Sequence, residues 1–359
     1  MTQNDTYLLR GDTYRRGRTA IALVTVVGWT ASAAGYIADP QRFFQSYLTA
    51  YLFAFTVTLG AMFFVMMQHL TGAMWSVTMR RLAENVMAAM PALALLFLPV
   101  VLGLHSLYEW THAEAVAANE ILRGKAAYLN EPFFLLRAVL YLGICTLIAW
   151  RLHRISVTQD ANGGTAPVHA ARRWSAPGLV LWMVVGTLMS FDWIMSLEPH
   201  WYSTMFGVYV LSGGVLAFFA LLTVIALWLR RAQALDTAIH EEHYHDLGKW
   251  LFALTVFWGY IAFSQYMLIW YANLPEETIW YKHRFTGTWM WLSAALLAGR
   301  FLVPFNALLP RAAKRNLTWL GAMACWILIM HYLDLYWLVM PAFHPRGVEP
   351  HWMDAAALT

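Results

Sequence analysis

Residues 201–229 decide the fold class, and they read WYSTMFGVYVLSGGVLAFFALLTVIALWL. This stretch carries no charged side chain, and it exceeds the roughly 20 apolar residues that an α-helix needs to cross a bilayer. Eight other segments qualify in the same way, and the full series is 19–37, 42–68, 83–104, 132–150, 176–197, 201–229, 247–272, 284–309 and 318–340. The sequence therefore predicts an all-α integral membrane protein with about nine transmembrane helices.

The overall composition excludes a soluble fold. Of the 359 residues, 60% are apolar or aromatic and 12% are charged, whereas soluble domains carry roughly 25% charged residues. A soluble protein of this size needs a polar surface that these residues cannot supply. The 19 Trp and 17 Tyr residues fit the two membrane interfaces, where amphipathic rings collect. We therefore expect this chain to contact the lipid bilayer and no nucleic acid.

The positive charges predict the orientation of the spans, because cytoplasmic flanks carry an excess of Lys and Arg. With a cytoplasmic N-terminus, sixteen Lys and Arg residues flank the spans on the cytoplasmic side and six on the periplasmic side. Those six are Arg42, Arg123, Lys125, Lys282, Arg284 and Arg346. Residues 14–33 also fit a signal peptide that ends at Ala31-Ser32-Ala33, and we predict that they are retained as the first span.

We predict a single polytopic domain over residues 1–359. It contains two up-down four-helix bundles, at 42–197 and 201–340, and peripheral helices. The equal orientation of the two sets permits a parallel internal repeat. Residues 105–131 are predicted to form a periplasmic segment with a short helix, and residues 151–175 a cytoplasmic loop. The residues after 340 are predicted to form a periplasmic tail without a further span.

Two charged residues inside neighbouring spans are predicted to form a pair. Ionisable side chains are costly in a bilayer, so each is a candidate functional residue. Arg137 and Asp192 both lie roughly 8 Å inside the periplasmic boundary, at ~1.5 Å of helix rise per residue. Two interpretations stay open for this pair: a functional site, or a tie that only neutralises two buried charges.

The ninth predicted span carries a second candidate pair. His331 and Asp334 are three residues apart and therefore lie on one face of the helix. An imidazole and a carboxylate at this spacing can exchange a proton, because His titrates near neutral pH. The alternative is a buried hydrogen bond between them with no further role. For Arg300, in the eighth span and nearer the cytoplasm, a side chain that extends towards the cytoplasmic interface is favoured over a functional role inside the span.

Polar residues of the seventh span extend this group towards a ligand site. Tyr260 and Gln265 lie at comparable or greater depth. A flat amphipathic ligand such as a quinone needs hydrogen-bonding groups at its carbonyls and apolar walls elsewhere, and a proton path needs the same groups in a chain. The sequence leaves both uses open.

The sequence predicts no redox centre held by this chain alone. Its two cysteines, Cys145 and Cys325, lie in apolar runs, and no Cys-x-x-Cys motif occurs, which excludes the common iron–sulfur and c-type haem patterns. A membrane cytochrome b needs paired histidines, but only His331 lies well inside a predicted span. The cluster His240–Asp246 fits no standard zinc spacing, and we predict that it begins a helix.

Four stretches resemble one protein family. They are AAYLNEPFF at 126–134, FDWIMSLEPHWYST at 191–204, HYHDLGK at 243–249 and FSQYMLIWYANLPEET at 263–278. Together they are similar to the ActF-type membrane component of the bacterial alternative complex III, which is akin to the NrfD-like membrane anchors of polysulfide reductases. The resemblance covers most of the chain and is clearest from about 126 to 280. Glu198 and His200 lie within the second stretch, and we add them to the candidate residues.

This resemblance implies a multi-subunit complex in the bacterial inner membrane that oxidises quinol and passes electrons to a cytochrome c-type acceptor. The implied partners are a sibling NrfD-like membrane subunit, a periplasmic iron–sulfur subunit and c-type cytochrome subunits, which carry the iron–sulfur clusters and haem c. For the ActF-type component itself, the resemblance implies two four-helix bundles and a proton path, with a bound quinone as an open question. Family members have ten spans, whereas this sequence predicts nine.

The leading functional hypothesis is a subunit, non-catalytic or quinone-handling, that conducts protons beside a quinone-like pocket. Asp192 and Asp334 would relay protons, His331 would exchange one, and Arg137 would set the protonation of the carboxylates by its opposite charge. Two alternatives stay open: a stand-alone secondary transporter and a purely structural membrane anchor.

Overall fold

The computed structural model describes residues 11–234 and 238–358, and these residues form helices joined by turns and short loops without a strand. Nine helices within the described ranges are long and apolar enough to span a membrane, which confirms the predicted all-α membrane fold. In chain order they are α1 (Gly11–Ala38), α2 (Pro40–Thr71), α3 (Val77–Leu102), α4 (Glu131–Asn162), α5 (Ala166–Leu197), α6 (Phe206–Arg231), α7 (Glu241–Ala272), α8 (Trp289–Leu308) and α9 (Leu317–Ala342).

We name the two ends of the helices by the loops that they carry. The outer end carries residues 103–130, 198–205, 273–288 and 343–358, and the inner end is opposite. The outer end is the one predicted to be periplasmic. A short helix covers part of it over Pro275–Arg284, and we call it the cover helix. Further short helices at Ala113–Ala118 and Glu120–Lys125 confirm the helical structure predicted within 105–131.

Local sequence signals set where the helices begin and end. The Asp39 carboxylate accepts a hydrogen bond from the backbone N–H of Arg42, and Pro40 follows as the first residue of α2. Asn130 and Asn316 cap α4 and α9 in the same way. Such side chains satisfy backbone N–H groups that have no partner in the first turn of a helix. His240 occupies the N-cap position of α7, and its backbone N–H donates to His243 Nδ1 at 3.1 Å, which confirms that the cluster at 240–246 begins a helix.

Helices α2 and α6 form the centre of the molecule. Their most apolar windows are 78% and 83% buried, against 11% for α1 at the periphery. They approach closely because a Cβ on Gly60 or on Gly214 would lie 2.6 Å from a backbone oxygen of the facing helix. Small residues permit such contacts between membrane helices. One continuous core therefore joins the predicted four-helix sets α2–α5 and α6–α9.

The predicted cytoplasmic loop at 151–175 is wrong. Helix α4 continues to Asn162 and α5 begins at Ala166, so only residues 163–165 form the turn. The polar residues of this region lower its hydropathy without breaking a helix, and the helices extend beyond the apolar layer. The break occurs at Gly163, whose φ of 65° is open to glycine at little cost.

Two of the spanning helices, α3 and α8, are interrupted within the span, whereas α5 and α9 end in short 3₁₀ turns. Helix α3 is divided into Val77–Met87, Met90–Leu95 and Leu98–Leu102, with Pro91 and Pro99 at the breaks. Proline lacks the N–H that continues the helical ladder. Helix α8 contains a π-helical turn over Leu297–Leu302, followed by Pro304. That turn carries Arg300 and changes the direction in which its side chain points.

Candidate functional site

The predicted pair of Arg137 and Asp192 is present in the structure. Arg137 Nε lies 2.7 Å from Asp192 Oδ2, and Nη2 lies 3.1 Å from Oδ1, so the contact is bidentate. The Tyr141 hydroxyl donates a third bond to Oδ2 at 3.1 Å. Arg137 Nη1 donates to the Tyr128 carbonyl at 2.9 Å. Both charges are neutralised and strongly hydrogen-bonded, which fits a tie between α4 and α5.

A second buried cluster joins α2, α6, α8 and α9. The Tyr209 hydroxyl donates to Asp334 Oδ1 at 2.5 Å, and Asp334 Oδ2 lies 3.5 Å from Arg300 Nη1. Arg300 Nη2 lies 3.0 Å from His331 Nδ1. His331 Nε2 lies 2.9 Å from the Thr56 hydroxyl. These contacts make a continuous chain of polar side chains across the second bundle into α2, and we call it the Arg300 cluster.

The predicted position of Arg300 at the cytoplasmic interface is wrong. Its exposed fraction is 1%, and its side chain lies against the Trp258 ring at 4.5 Å. The π-helical turn of α8 directs it inward, and Gly213 leaves room for it, because a Cβ there would lie 2.6 Å from Arg300 Nη2. Neither the π-helical turn nor the space at Gly213 has a signal in hydropathy.

The structure corrects the predicted direct contact between His331 and Asp334, because Arg300 lies between them. The two residues share a face of α9, but the hydrogen bonds of the described residues include none between them. Arg300 lies between the imidazole and the carboxylate and contacts both. A proton that moves between His331 and Asp334 must therefore pass the guanidinium or follow a displacement of it.

A cavity of about 780 Å³ opens beside the Arg300 cluster, between α6, α7, α8, α9 and the cover helix. Its walls are mainly aromatic and aliphatic, and Tyr209 and Gln265 are among its polar wall residues. Gln265 is buried and its Oε1 has no hydrogen-bond partner among the described residues. Tyr260 also lines the cavity, but 64% of its surface is exposed on the flank of the helices. The volume lies within the range of about 300–1,000 Å³ typical of ligand sites.

The cover helix closes the outer end of this cavity. Trp280, Tyr281 and the adjacent Phe285 line the cavity. Arg284 fastens the helix, because its guanidinium donates to the backbone carbonyls of Trp337 at 3.2 Å and Leu338 at 3.0 Å.

Glu198, one of the predicted candidate residues, also holds the cover helix in place through contacts with Arg284 and His283. Its Oε1 lies 2.8 Å from Arg284 Nη1, and its Oε2 lies 3.3 Å from His283 Nδ1. Burial alone would raise the pKa of Glu198, but the Arg284 charge and the hydrogen bonds from His283 and Arg284 outweigh burial, and the pKa lies below its ordinary value. Glu198 therefore stays ionised and positions the cover helix. His200 is exposed and contacts Asn119 at 3.1 Å, away from the cavity and from both charge clusters.

Sequence reasoning missed several members of these clusters. Tyr209, Tyr141 and Thr56 are uncharged residues of apolar spans, and nothing in their spacing marks them. Glu84 carried a usable signal, because it is an acidic residue inside the predicted span 83–104. It is buried near the inner end, where it accepts a 2.5 Å hydrogen bond from Ser156 and pairs with Arg81 at 3.1 Å.

The structure offers no metal site within residues 11–234 and 238–358, where no three His, Cys, Asp or Glu residues are grouped to hold an ion. Cys145 and Cys325 are both unpaired thiols. No protein-family model matches the sequence, and no curated protein matches it.

Proposed function

We propose that this chain is a membrane subunit of a quinol-oxidising complex of the alternative complex III type, in which it conducts protons beside a quinone-like ligand. The observation that carries the proposal is Tyr209, which lines the cavity and donates a hydrogen bond to Asp334. Through this residue the cavity adjoins the Arg300 cluster. A ligand that releases protons in the cavity would thus lie next to groups that can accept them.

The shape and chemistry of the cavity support a flat, lipid-soluble ligand. Its walls are aromatic and aliphatic, with a few polar groups such as the buried Gln265 amide. Tyr260, Phe263 and Leu297 lie both at the cavity and on the exposed flank of α7 and α8, so the cavity borders the lipid. Quinones partition into bilayers and carry polar groups on an otherwise apolar ring. The iron–sulfur and haem centres of such a complex would reside in partner subunits.

The Arg137–Asp192 pair supports a different role within the same chain. The four side-chain hydrogen bonds described above for the pair are made inside the first bundle, and none involves a wall residue of the cavity. We assign it the structural interpretation, a tie between α4 and α5. The secondary-transporter alternative has less support. Transporters tend to interrupt corresponding helices of their two repeats. Here the interrupted helices are α3, the second helix of the set α2–α5, and α8, the third helix of the set α6–α9.

Replacing Tyr209 with phenylalanine tests the proton path, because it removes one hydroxyl and leaves every charge in place. We expect the rate of proton translocation in vesicles that contain the intact complex to fall by on the order of 10²-fold or more, since a positioned proton-transfer group contributes roughly 10²–10⁴-fold to a rate. The matched control is Tyr141→Phe, which removes the equivalent Tyr–Asp bond at Asp192 and should leave translocation unchanged. Equal translocation in wild type and Tyr209→Phe would leave the Arg300 cluster with a structural role only.

Filling the cavity tests the ligand. Ala262 lines it, and Ala262→Phe should displace a bound quinone, because the added ring occupies the space that the ligand needs. Quinone extracted from the purified complex by organic solvent and quantified by chromatography should fall at least several-fold. Ala176→Phe, at an exposed position of α5, is the control and should retain the wild-type amount. A complex that carries no quinone, or keeps it in Ala262→Phe, contradicts the assignment of this cavity.

A further inference from the structure

The residues after α9 fold back onto the outer end of the molecule, and we call residues 343–358 the brace segment. Arg42 of α2 holds it at two points: Nη2 lies 2.7 Å from Asp354 Oδ2 and donates to the Glu349 carbonyl at 2.9 Å. The Ser46 hydroxyl donates to Asp354 Oδ1 at 2.6 Å. From α9, Tyr332 and Tyr336 donate to the carbonyls of Asp354 and Glu349.

The same segment contacts the residues at the C-terminal end of the cover helix. The cover helix lies between two residues of left-handed conformation, Asn273 with φ 49° and Gly287 with φ 58°. A Cβ on Gly287 would lie 2.8 Å from the Arg346 carbonyl oxygen, so the backbone of the brace segment packs directly against this end of the cover helix. Next to it, Thr288 Oγ1 accepts from the Val348 N–H at 2.7 Å, and Trp289 Nε1 donates to the His344 carbonyl at 2.8 Å. The position of the brace segment therefore constrains the cover helix.

His344 lies where these contacts meet. Its Nε2 lies 2.6 Å from Arg42 Nη1, and its Nδ1 lies 3.1 Å from Glu349 Oε2. A guanidinium can only donate, so the Arg42 contact requires an unprotonated Nε2 and places the proton on Nδ1, facing Glu349. Gln45 Oε1 also lies 3.1 Å from Nε2, but an unprotonated Nε2 and an amide oxygen are both acceptors, so this contact is not a hydrogen bond and the shorter Arg42 contact decides the tautomer. Protonation of His344 would place a positively charged Nε2–H opposite the positively charged Nη1 of Arg42, so the two groups would repel each other.

Other titratable groups surround this position. The Arg42 guanidinium and the His344 imidazole interact electrostatically with three further side chains, those of Asp354, Tyr336 and Glu349. His344 also lines a crevice of about 430 Å³ together with Asp39 and His351. The crevice gives water access to the imidazole. Burial and the Arg42 charge hold the pKa of His344 below its ordinary value, against the opposing carboxylates of Glu349 and Asp354.

We propose that the brace segment locks the cover helix over the cavity and that protonation of His344 releases it. The geometry of the brace stands by itself, whereas its consequence, that acid on the outer side opens the ligand cavity, rests on the proposed function. Acid would thus promote exchange of the ligand with the membrane.

The direction of the pH dependence follows from the lowered pKa. The braced state prefers the neutral imidazole, whereas the released state has the ordinary pKa of about 6.5. The brace is therefore fully stabilised above about pH 6.5, and this stabilisation is lost as the pH falls towards the lower pKa of the braced state.

Hydrogen–deuterium exchange of the protein purified from its native membrane tests the proposal. After correction for the intrinsic pH dependence of exchange, peptides covering 273–288 and 343–358 should exchange about tenfold faster at about pH 5 than at about pH 8. The His344→Gln variant should lose this response, because a neutral amide cannot acquire the charge. The matched control His351→Gln should respond like wild type, and Arg42→Gln should exchange rapidly at both pH values.

The outcomes separate the brace from the proposed function. A wild-type protein whose two peptides exchange equally at both pH values overturns the proposal without any variant, and so does a His344→Gln protein that responds like wild type. The exchange measurement needs no ligand. If the acid response is present but no quinone is found in the complex, the brace stands and the proposed function fails.

Discussion

Replacing Arg300 with methionine is expected to destabilise the protein by about 3–5 kcal/mol, because it leaves Asp334 buried with the Tyr209 hydroxyl as its remaining partner. A lone carboxylate in a low-dielectric interior loses its hydration without a compensating charge. Methionine replaces only the aliphatic part of the side chain, so the contact of the guanidinium with the Trp258 ring is lost as well. The midpoint of thermal unfolding in detergent, measured for the variant and for wild type, reports the loss.

The double variant Arg300→Met/Asp334→Leu separates the cost of an unpaired charge from the loss of function. Removing both partners of a buried ion pair is often neutral or stabilising, so we expect the double variant to recover most of the lost stability. Proton translocation should nevertheless stay low, because no carboxylate remains beside Tyr209. If the double variant is as unstable as the single variant, the pair is held by packing around it rather than by neutralisation of charge.

The corresponding changes at Arg137 and Asp192 provide the control for function. The single variant Arg137→Met should be destabilised by a similar amount, since Asp192 is equally buried. In the double variant Arg137→Met/Asp192→Leu, stability and proton translocation should both return. A loss of translocation there would move the proton path, or part of it, into the first bundle.

The second large effect is expected at Gly214, where α6 meets α2. In Gly214→Ala the new Cβ would lie 2.6 Å from the Thr56 carbonyl, and a backbone atom cannot move aside as a side chain does. The two central helices must separate, at a cost of about 1–3 kcal/mol typical of overpacking. Thr56 is also the partner of His331, so the separation should reduce proton translocation as well as the unfolding midpoint.

A second glycine controls for the change in helix propensity. Gly143 lies in α4 and nothing lies within 4 Å of the position of its Cβ. Gly143→Ala should be neutral or stabilising by about 0.5–1 kcal/mol, as expected for alanine in a helix interior. Equal midpoints for Gly214→Ala and Gly143→Ala would contradict the close approach of α2 and α6.

The depth of a charged residue within its span predicted one of the two buried ion pairs, Arg137–Asp192, and failed for the other, Arg300–Asp334. Arg137 and Asp192 lie at equal distances from the same end of consecutive antiparallel helices, and the turn between those helices brings them together. Arg300 and Asp334 also lie on consecutive helices, α8 and α9, but hydropathy indicates a different depth for the arginine. The π-helical turn redirects the side chain towards α9 and the Trp258 ring, and hydropathy carries no signal for such a turn.

The residues outside the spans were the least predictable. Helix continues through 151–162 and 166–175 because polar residues can form helices in water as well as loops. The brace segment has neither a repeating pattern nor a span, and its structure depends on Arg42, about 300 positions earlier in the chain. Such a pairing has no local signal.

The amino-acid sequence by itself determined that this protein spans a membrane, where the nine spanning helices of residues 11–234 and 238–358 lie, and that Arg137 and Asp192 meet. Each of these follows from hydrocarbon thickness and from the cost of charge in lipid, which act on every segment separately. Only the tertiary structure decided that Arg300 joins His331 to Asp334, that Tyr209 connects them to a cavity, and that His344 lies against Arg42. Those contacts depend on how helices distant in sequence approach and rotate, and side-chain packing across the whole core sets both.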